Sequence, residues 1–176
     1  MNQGRIPQLL TEIEDAPSVV IRSGYPLLHI AILTGQVEIL HAFLRHGANP
    51  NKPDRYGQHP IFLTVETGKD IRLLDLLIQY QAGIDLTDRH GASPLMYAAG
   101  HSLLPQSTSL LKAGANPNFR DNEGDTALMY AIGTNHLPLI SLLLAYGADP
   151  YLPNFDGLTA IDKATNQDIR SMILPG

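Results

Sequence analysis

Apolar residues in this chain recur at helical spacing over short stretches and then stop. Leu28, Ala31 and Ile32 form one stripe and, after a break at Thr34-Gly35, Val37, Leu40, Phe43 and Leu44 form another. This is the pattern of two short helices, each with one apolar face. A glycine precedes each such pair of helices: Gly24, Gly57, Gly91, Gly124 and Gly157, at intervals of 33, 34, 33 and 33 residues. Spacing this regular marks a repeat architecture. Seven residues after those glycines stand Ala31, Thr64, Ala98, Ala131 and Ala164, and small side chains at one fixed offset predict close packing between neighbouring helices.

The second half of each unit repeats as well. GANPN occurs at 47–51 and again at 114–118, and GADP at 147–150. Glycine permits positive φ and proline removes a backbone donor, so the pairing ends a helix and starts an extended turn. Pro17 continues this series toward the N-terminus, while Pro105 and Pro138 fall where the first turn of the second helix is expected, a position at which a missing N–H does no harm. Each unit therefore reads as two short antiparallel helices followed by an extended hairpin. The second unit departs from the others, with one extra residue near 68–72 and Gln81 at the corner where glycine is expected.

The stretches GYPLLHIAI (24–32), GASPLMYAA (91–99), GDTALMYAI (124–132) and GLTAIDKAT (157–165), together with the GANPN corners, resemble ankyrin repeats, whose consensus joins a GxTPLHxAA helix start to a GADxN hairpin. The resemblance covers nearly the whole chain. It implies an all-α repeat solenoid forming a single domain over 1–176: four full repeats at 23–55, 56–89, 90–122 and 123–155, between partial caps at 1–22 and 156–176. Residues 5–14 read as a lone outer helix of the first cap. The full TPLH tetrad occurs in no repeat: His29 keeps the histidine, and Phe62, Met96, Met129 and Asp162 replace it elsewhere.

Composition narrows the function. With 44% hydrophobic and 16% charged residues the chain can bury a core, and no apolar run is long enough to span a membrane. A net charge of −5 argues against nucleic acid as the partner. The absence of cysteine excludes disulfides, thiol catalysis and cysteine-type zinc sites. The first twenty residues lack a secretory leader, so a cytoplasmic protein is expected; an exported or periplasmic one is the alternative, if a leader has been trimmed.

Chemical motifs are sparse. The seven histidines are scattered, His41 and His46 share no helical face, and no HExxH, phosphate loop or GxSxG elbow occurs. The run RDNEGD at 120–125 has the acids of a calcium loop, but its glycine is misplaced and no glutamate closes it, so it reads as a hairpin tip. No enzyme activity, cofactor or metal is expected. The family resemblance implies that a partner protein is bound on the concave side, at the hairpin tips and the exposed face of the inner helices. Those positions are Arg22, Tyr25, Arg55, Tyr56, Gln58, Arg89, His90, Glu123, Asp125 and Phe155 at the tips, and Glu66 and His101 on the inner helices. The tips change sign along the chain, from arginine in the first three to carboxylates in the last two. A protein that is monomeric when unbound, acting as an inhibitor, self-protection protein or adaptor, is the first reading. A secreted effector acting on a host protein, or a metal or small ligand held by His90 and His101, are the alternatives.

Overall fold

The computed structural model describes residues 26–173. The N-terminal cap expected over 1–22, its helix at 5–14, and the candidates Arg22 and Tyr25 lie outside the described residues. Among the described residues the protein is all-α, with ten helices and no strand. The helices are α1 (Leu27–Leu33), α2 (Val37–Arg45), α3 (Pro60–Thr67), α4 (Ile71–Gln79), α5 (Pro94–Gly100), α6 (Leu104–Lys112), α7 (Ala127–Gly133), α8 (Leu137–Ala145), α9 (Ala160–Lys163) and α10 (Gln167–Ile173). They form two compact units, one ending at Ala82 and the other starting at Gly83.

In the first unit each inner helix packs on its own outer helix, α1 on α2 and α3 on α4, and the two pairs stack inner on inner and outer on outer. The second unit repeats the scheme with α5, α7 and α9 as the inner row and α6, α8 and α10 as the outer row. The inner helices α1, α3, α5 and α7 are mostly buried, α3 enclosing six consecutive residues from Pro60 to Val65, whereas the short α9 buries Ala160. Outer helices bury one stripe, such as Leu73, Leu74 and Leu77 in α4. The expected stripe in α2 is only partly buried: Leu40 and Leu44 are enclosed, while Val37 and Phe43 are half-buried at its edges. Every small residue at the fixed offset is enclosed, from Ala31 to Ala164, and Thr64 keeps its hydroxyl satisfied by donating to the Ile61 carbonyl at 2.8 Å. Burial of one large apolar side chain contributes about 1.5–3 kcal/mol, so the two rows of leucine and isoleucine carry the fold.

The outer helices α2, α4, α6 and α8 each end at a left-handed residue: Gly47, Gln81, Gly114 and Gly147 have φ of 84°, 63°, 94° and 85°. The backbone N–H of the next residue reaches back five positions, as from Ala48 to Phe43 and from Ala115 to Leu110, both at 3.0 Å, which satisfies carbonyls the helix leaves open. Beyond the corner, Asn51 and Asn118, the last letters of the two GANPN stretches, link successive repeats. Asn118 donates to the Gly147 carbonyl at 2.9 Å and accepts from the Asp149 N–H at 2.7 Å, and Asn51 donates to the Gln81 carbonyl at 3.4 Å. The duplicated pentapeptide is thus both a helix stop and a clasp onto the following corner. The extra residue of the second unit is Lys69, inserted between left-handed Gly68 and the helix-capping Asp70, and its amine donates to the Leu33 carbonyl.

Three inner helices, α5, α7 and α9, start from side-chain-capped turns. Ser93, Thr126 and Thr159 accept from the N–H three residues on, at 3.3, 3.4 and 3.3 Å, and Pro60 and Pro94 occupy the first helical position. At the first repeat Pro26 replaces the hydroxyl residue. The fully buried His29 bonds through Nε2 to the Gln58 carbonyl at 3.0 Å, and its Nδ1 has no partner. Burial pulls the His29 pKa below its ordinary value, opposed by the Gln58 carbonyl and the Asp54 charge.

Because the fold holds His29 neutral, the unfolded chain takes up a proton first as pH falls. His29 therefore stabilises the fold fully above its unfolded pKa of about 6.5, and that contribution is lost at lower pH. Denaturant midpoints between about pH 7 and pH 5 should fall more steeply in the wild type than in His29→Met, which carries the residue found at positions 96 and 129; equal slopes would contradict this. Gln81→Gly should stabilise by about 1 kcal/mol, because it removes the left-handed strain of a side chain, and an unchanged urea midpoint would contradict it.

Candidate functional site

Among the described residues every hairpin is folded around one side-chain oxygen. Oδ1 of Asp54 accepts from the N–H of Tyr56 at 2.8 Å and of Gln58 at 2.9 Å. Asp88 does the same for His90 and Ala92, Asp121 for Glu123 and Asp125, and Asn154 for Asp156 and Leu158. The tip glycines Gly57, Gly91, Gly124 and Gly157 close these turns at φ between 74° and 81°. The two residues after each acceptor are pushed outward, which is why Arg55, Tyr56, Arg89, His90, Glu123 and Phe155 are exposed, while Gln58 and Asp125, four positions after the acceptor, are half-buried.

In the first unit the Arg55 guanidinium lies 4.6 Å from the Tyr56 ring centre and bonds the phenol oxygen, and Tyr56 is 67% exposed. Gln58 donates to Glu66 at 2.8 Å, so the tip and inner-helix candidates of that repeat adjoin. In the second unit Arg89 donates to His90 Nε2 at 3.0 Å. The N–H of Asn122 bonds the His90 carbonyl and that of Phe155 bonds the Glu123 carbonyl, both at 3.0 Å, which ties neighbouring tips together. Phe155 is 68% exposed, with Arg120 4.7 Å over its ring; Arg120 also donates to the Pro153 carbonyl at 2.8 Å. Asp125 is held by Lys163 at 2.6 Å and by the Asn154 amide at 2.8 Å. The carboxylate end of the tip row therefore also carries Arg120 and Lys163.

His90 and His101 line one open cavity of about 200 Å³, together with Tyr97, Gly100 and Tyr130. The Tyr97 and His101 rings stack at 4.3 Å, and His101 Nδ1 bonds the Tyr97 carbonyl at 2.9 Å. Tyr130 donates its hydroxyl to Asp121 at 2.7 Å. Burial raises the Tyr130 pKa, with further contributions from that hydrogen bond and from the charges of Asp121, Asp125 and Glu123. Among the described residues no three histidine or carboxylate side chains assemble into a metal site, and no helix is long and apolar enough to cross a membrane. Tyr97, Tyr130 and Arg120 were absent from the expected site. The first two follow a methionine in both LMYA stretches, a signal present in the sequence.

Comparison with known proteins agrees with this geometry. A family model described as ankyrin repeats in three copies matches residues 28–112, and one described as ankyrin repeats in many copies matches 110–164. The chain is 37% identical over 92 residues to ankyrin repeat protein nuc-2 of Neurospora crassa, which covers 52% of this chain and 8% of that protein. It is 33% identical over 94 residues to the nuclear factor NF-kappa-B p105 subunit of Gallus gallus, covering 52% of this chain and 10% of the relative. Ankyrin repeat and SOCS box protein 6 of Homo sapiens is 32% identical over 79 residues, covering 44% of this chain and 19% of the relative. The chain spans less than a fifth of each of these relatives.

The tie between neighbouring tips can be isolated by one pair of variants. A Cβ on Gly124 would lie 2.7 Å from the Phe155 backbone nitrogen, whereas one on Gly157, at the same φ of 81°, would meet nothing within 4 Å. Gly157→Ala should cost about 1–2 kcal/mol from the left-handed conformation alone. Gly124→Ala should cost clearly more and broaden the amide signals of residues 154–155. Equal urea midpoints for the two variants would mean that the tips are not in contact.

Proposed function

The chain belongs to the ankyrin repeat family, generally a non-catalytic class of interaction modules, and on that premise we propose that it binds one partner protein through its hairpin tips and the exposed faces of its inner helices. The candidate contacts are Arg55, Tyr56, Gln58 and Glu66 in the first unit, and Arg89, His90, His101, Glu123 and Phe155 in the second, with Asp125 holding its tip in place. Arg22 and Tyr25 belong to the same proposal by register alone.

The observation that carries this reading is the pair of aromatic tips. Tyr56 and Phe155 are each about two-thirds exposed, and each has a guanidinium against its ring. An aromatic ring left in water contributes nothing to the core, but on a closed turn it is already ordered. Binding then loses little side-chain entropy, and aromatic rings and arginines are the groups most often found to dominate interfaces. The role is that of an inhibitor or self-protection protein covering an enzyme's surface, or of an adaptor.

The proposal is tested by affinity capture from the source lysate with three baits: wild type, Arg55→Glu/Arg89→Glu and Tyr56→Ala/Phe155→Ala. The partner retained by the wild type should be reduced at least tenfold by both variants, whose unfolding free energies should stay within about 0.5 kcal/mol of wild type. Equal retention by all three baits would show that the tips are not the contact surface.

A further inference from the structure

We propose that the cavity beside the tips of the second unit is an anchor pocket for an arginine side chain of the partner protein. This deepens the reading above and rests on it. The pocket is built on α5: Met96, Tyr97, Gly100 and His101 follow at steps of one, three and one, so they fall on one face of that helix. Gly100 makes the room. A Cβ there would stand 3.4 Å from Tyr130 Cδ1, already in contact with the ring, so any longer side chain would enter the space between them. The Tyr97–His101 stack forms a second aromatic wall, and Asp88, fixed by the N–H groups of His90 and Ala92, contributes a carboxylate to the lining.

Size and charge select the occupant. The cavity of about 200 Å³ has room for about six waters, and it is smaller than the roughly 300–1,000 Å³ of small-molecule sites. One long side chain fits that volume. The field at Tyr130 is negative: Asp121, Asp125 and Glu123 all act to keep its phenol protonated. Because the Tyr130 hydroxyl points its proton at Asp121, the oxygen keeps lone pairs for an incoming donor. Aromatic faces, an acceptor oxygen and surrounding carboxylates favour a planar cation, which stacks on rings while its N–H groups donate in plane. Arg89 is the cation in the neighbouring tip, and it is hydrogen-bonded to His90.

The test is an NMR titration of the ¹⁵N-labelled full chain with three probes: N-acetyl-arginine amide, its uncharged isostere N-acetyl-citrulline amide, and N-acetyl-leucine amide. The arginine probe should shift the amides of Ala92, Tyr97, Gly100 and His101 saturably, and at least fivefold more tightly than citrulline or leucine. Tyr97→Leu, which keeps apolar volume but removes the π face, should weaken it at least fivefold. Gly100→Leu, which fills the cavity, should abolish it, with thermal unfolding as the check on folding. Citrulline or leucine binding as well as arginine, an unaffected Tyr97→Leu, or no shift at these amides would each overturn the pocket. The outcomes separate from the capture experiment: a partner retained through the tips without any arginine shift removes the pocket alone, and an arginine shift with no tip-dependent partner removes the broader reading alone.

Discussion

A single oxygen at the base of each described hairpin decides where the two residues at its tip point. Asp54, Asp88, Asp121 and Asn154 stand three residues before the tip glycines, and each binds the N–H groups two and four positions on. Without that oxygen two amides of a tight turn would need water, and the turn would have no fixed shape. With it, the intervening pair of residues is displayed outward whatever its chemistry. Asn154 shows that charge is not required, because a neutral amide oxygen makes the same two bonds.

What differs among repeats is the use of the second side-chain atom, which can be read together with the residue nine positions later at three of the four. After Asp121 that residue is Tyr130, whose hydroxyl fills the second oxygen. After Asp54 it is Leu63, and the second oxygen is buried without a partner, a cost of about 1–3 kcal/mol by itself. Asn154 has a nitrogen instead, which donates to Asp125, and the residue nine positions on is Lys163, which also goes to Asp125. One template thus gives a buried carboxylate near His29, a hydrogen-bonded tyrosine wall, and a locked acidic tip.

The repeat itself was legible because its punctuation is written in residues with special backbone preferences. The tip glycines and the corners at Gly47, Gly114 and Gly147 all adopt positive φ. Even the irregular corner Gln81 and the insertion near 68–72 could be located by counting. The acceptors at 54, 88, 121 and 154 obey the same period and could have been found by the same count, but an acid or amide in a loop reads as mere solubility until its two bonds are seen. Asp125 could not be judged from sequence at all. Its partner Lys163 is 38 residues away, and only packing brings the two together. Tyr97 and Tyr130 were hidden for a different reason: a tyrosine beside buried Met96 and Met129 looks like core until the helix face is known.

These pairings change what the tip charges can do. Read along the chain, the tips pass from basic to acidic, which suggests a partner sorted by charge. In the folded protein Asp125 is paired with Lys163, and Arg120 covers Phe155 and bonds backbone carbonyls. Charges held this way orient an approaching partner more than they bind it, since a paired ion loses its bond before it gains another. In the proposed interface affinity then comes from the largely exposed rings of Tyr56 and Phe155 and from the open cavity lined by Tyr97 and Tyr130, so that discrimination among partners rests on where a ring or a pocket falls along the repeat.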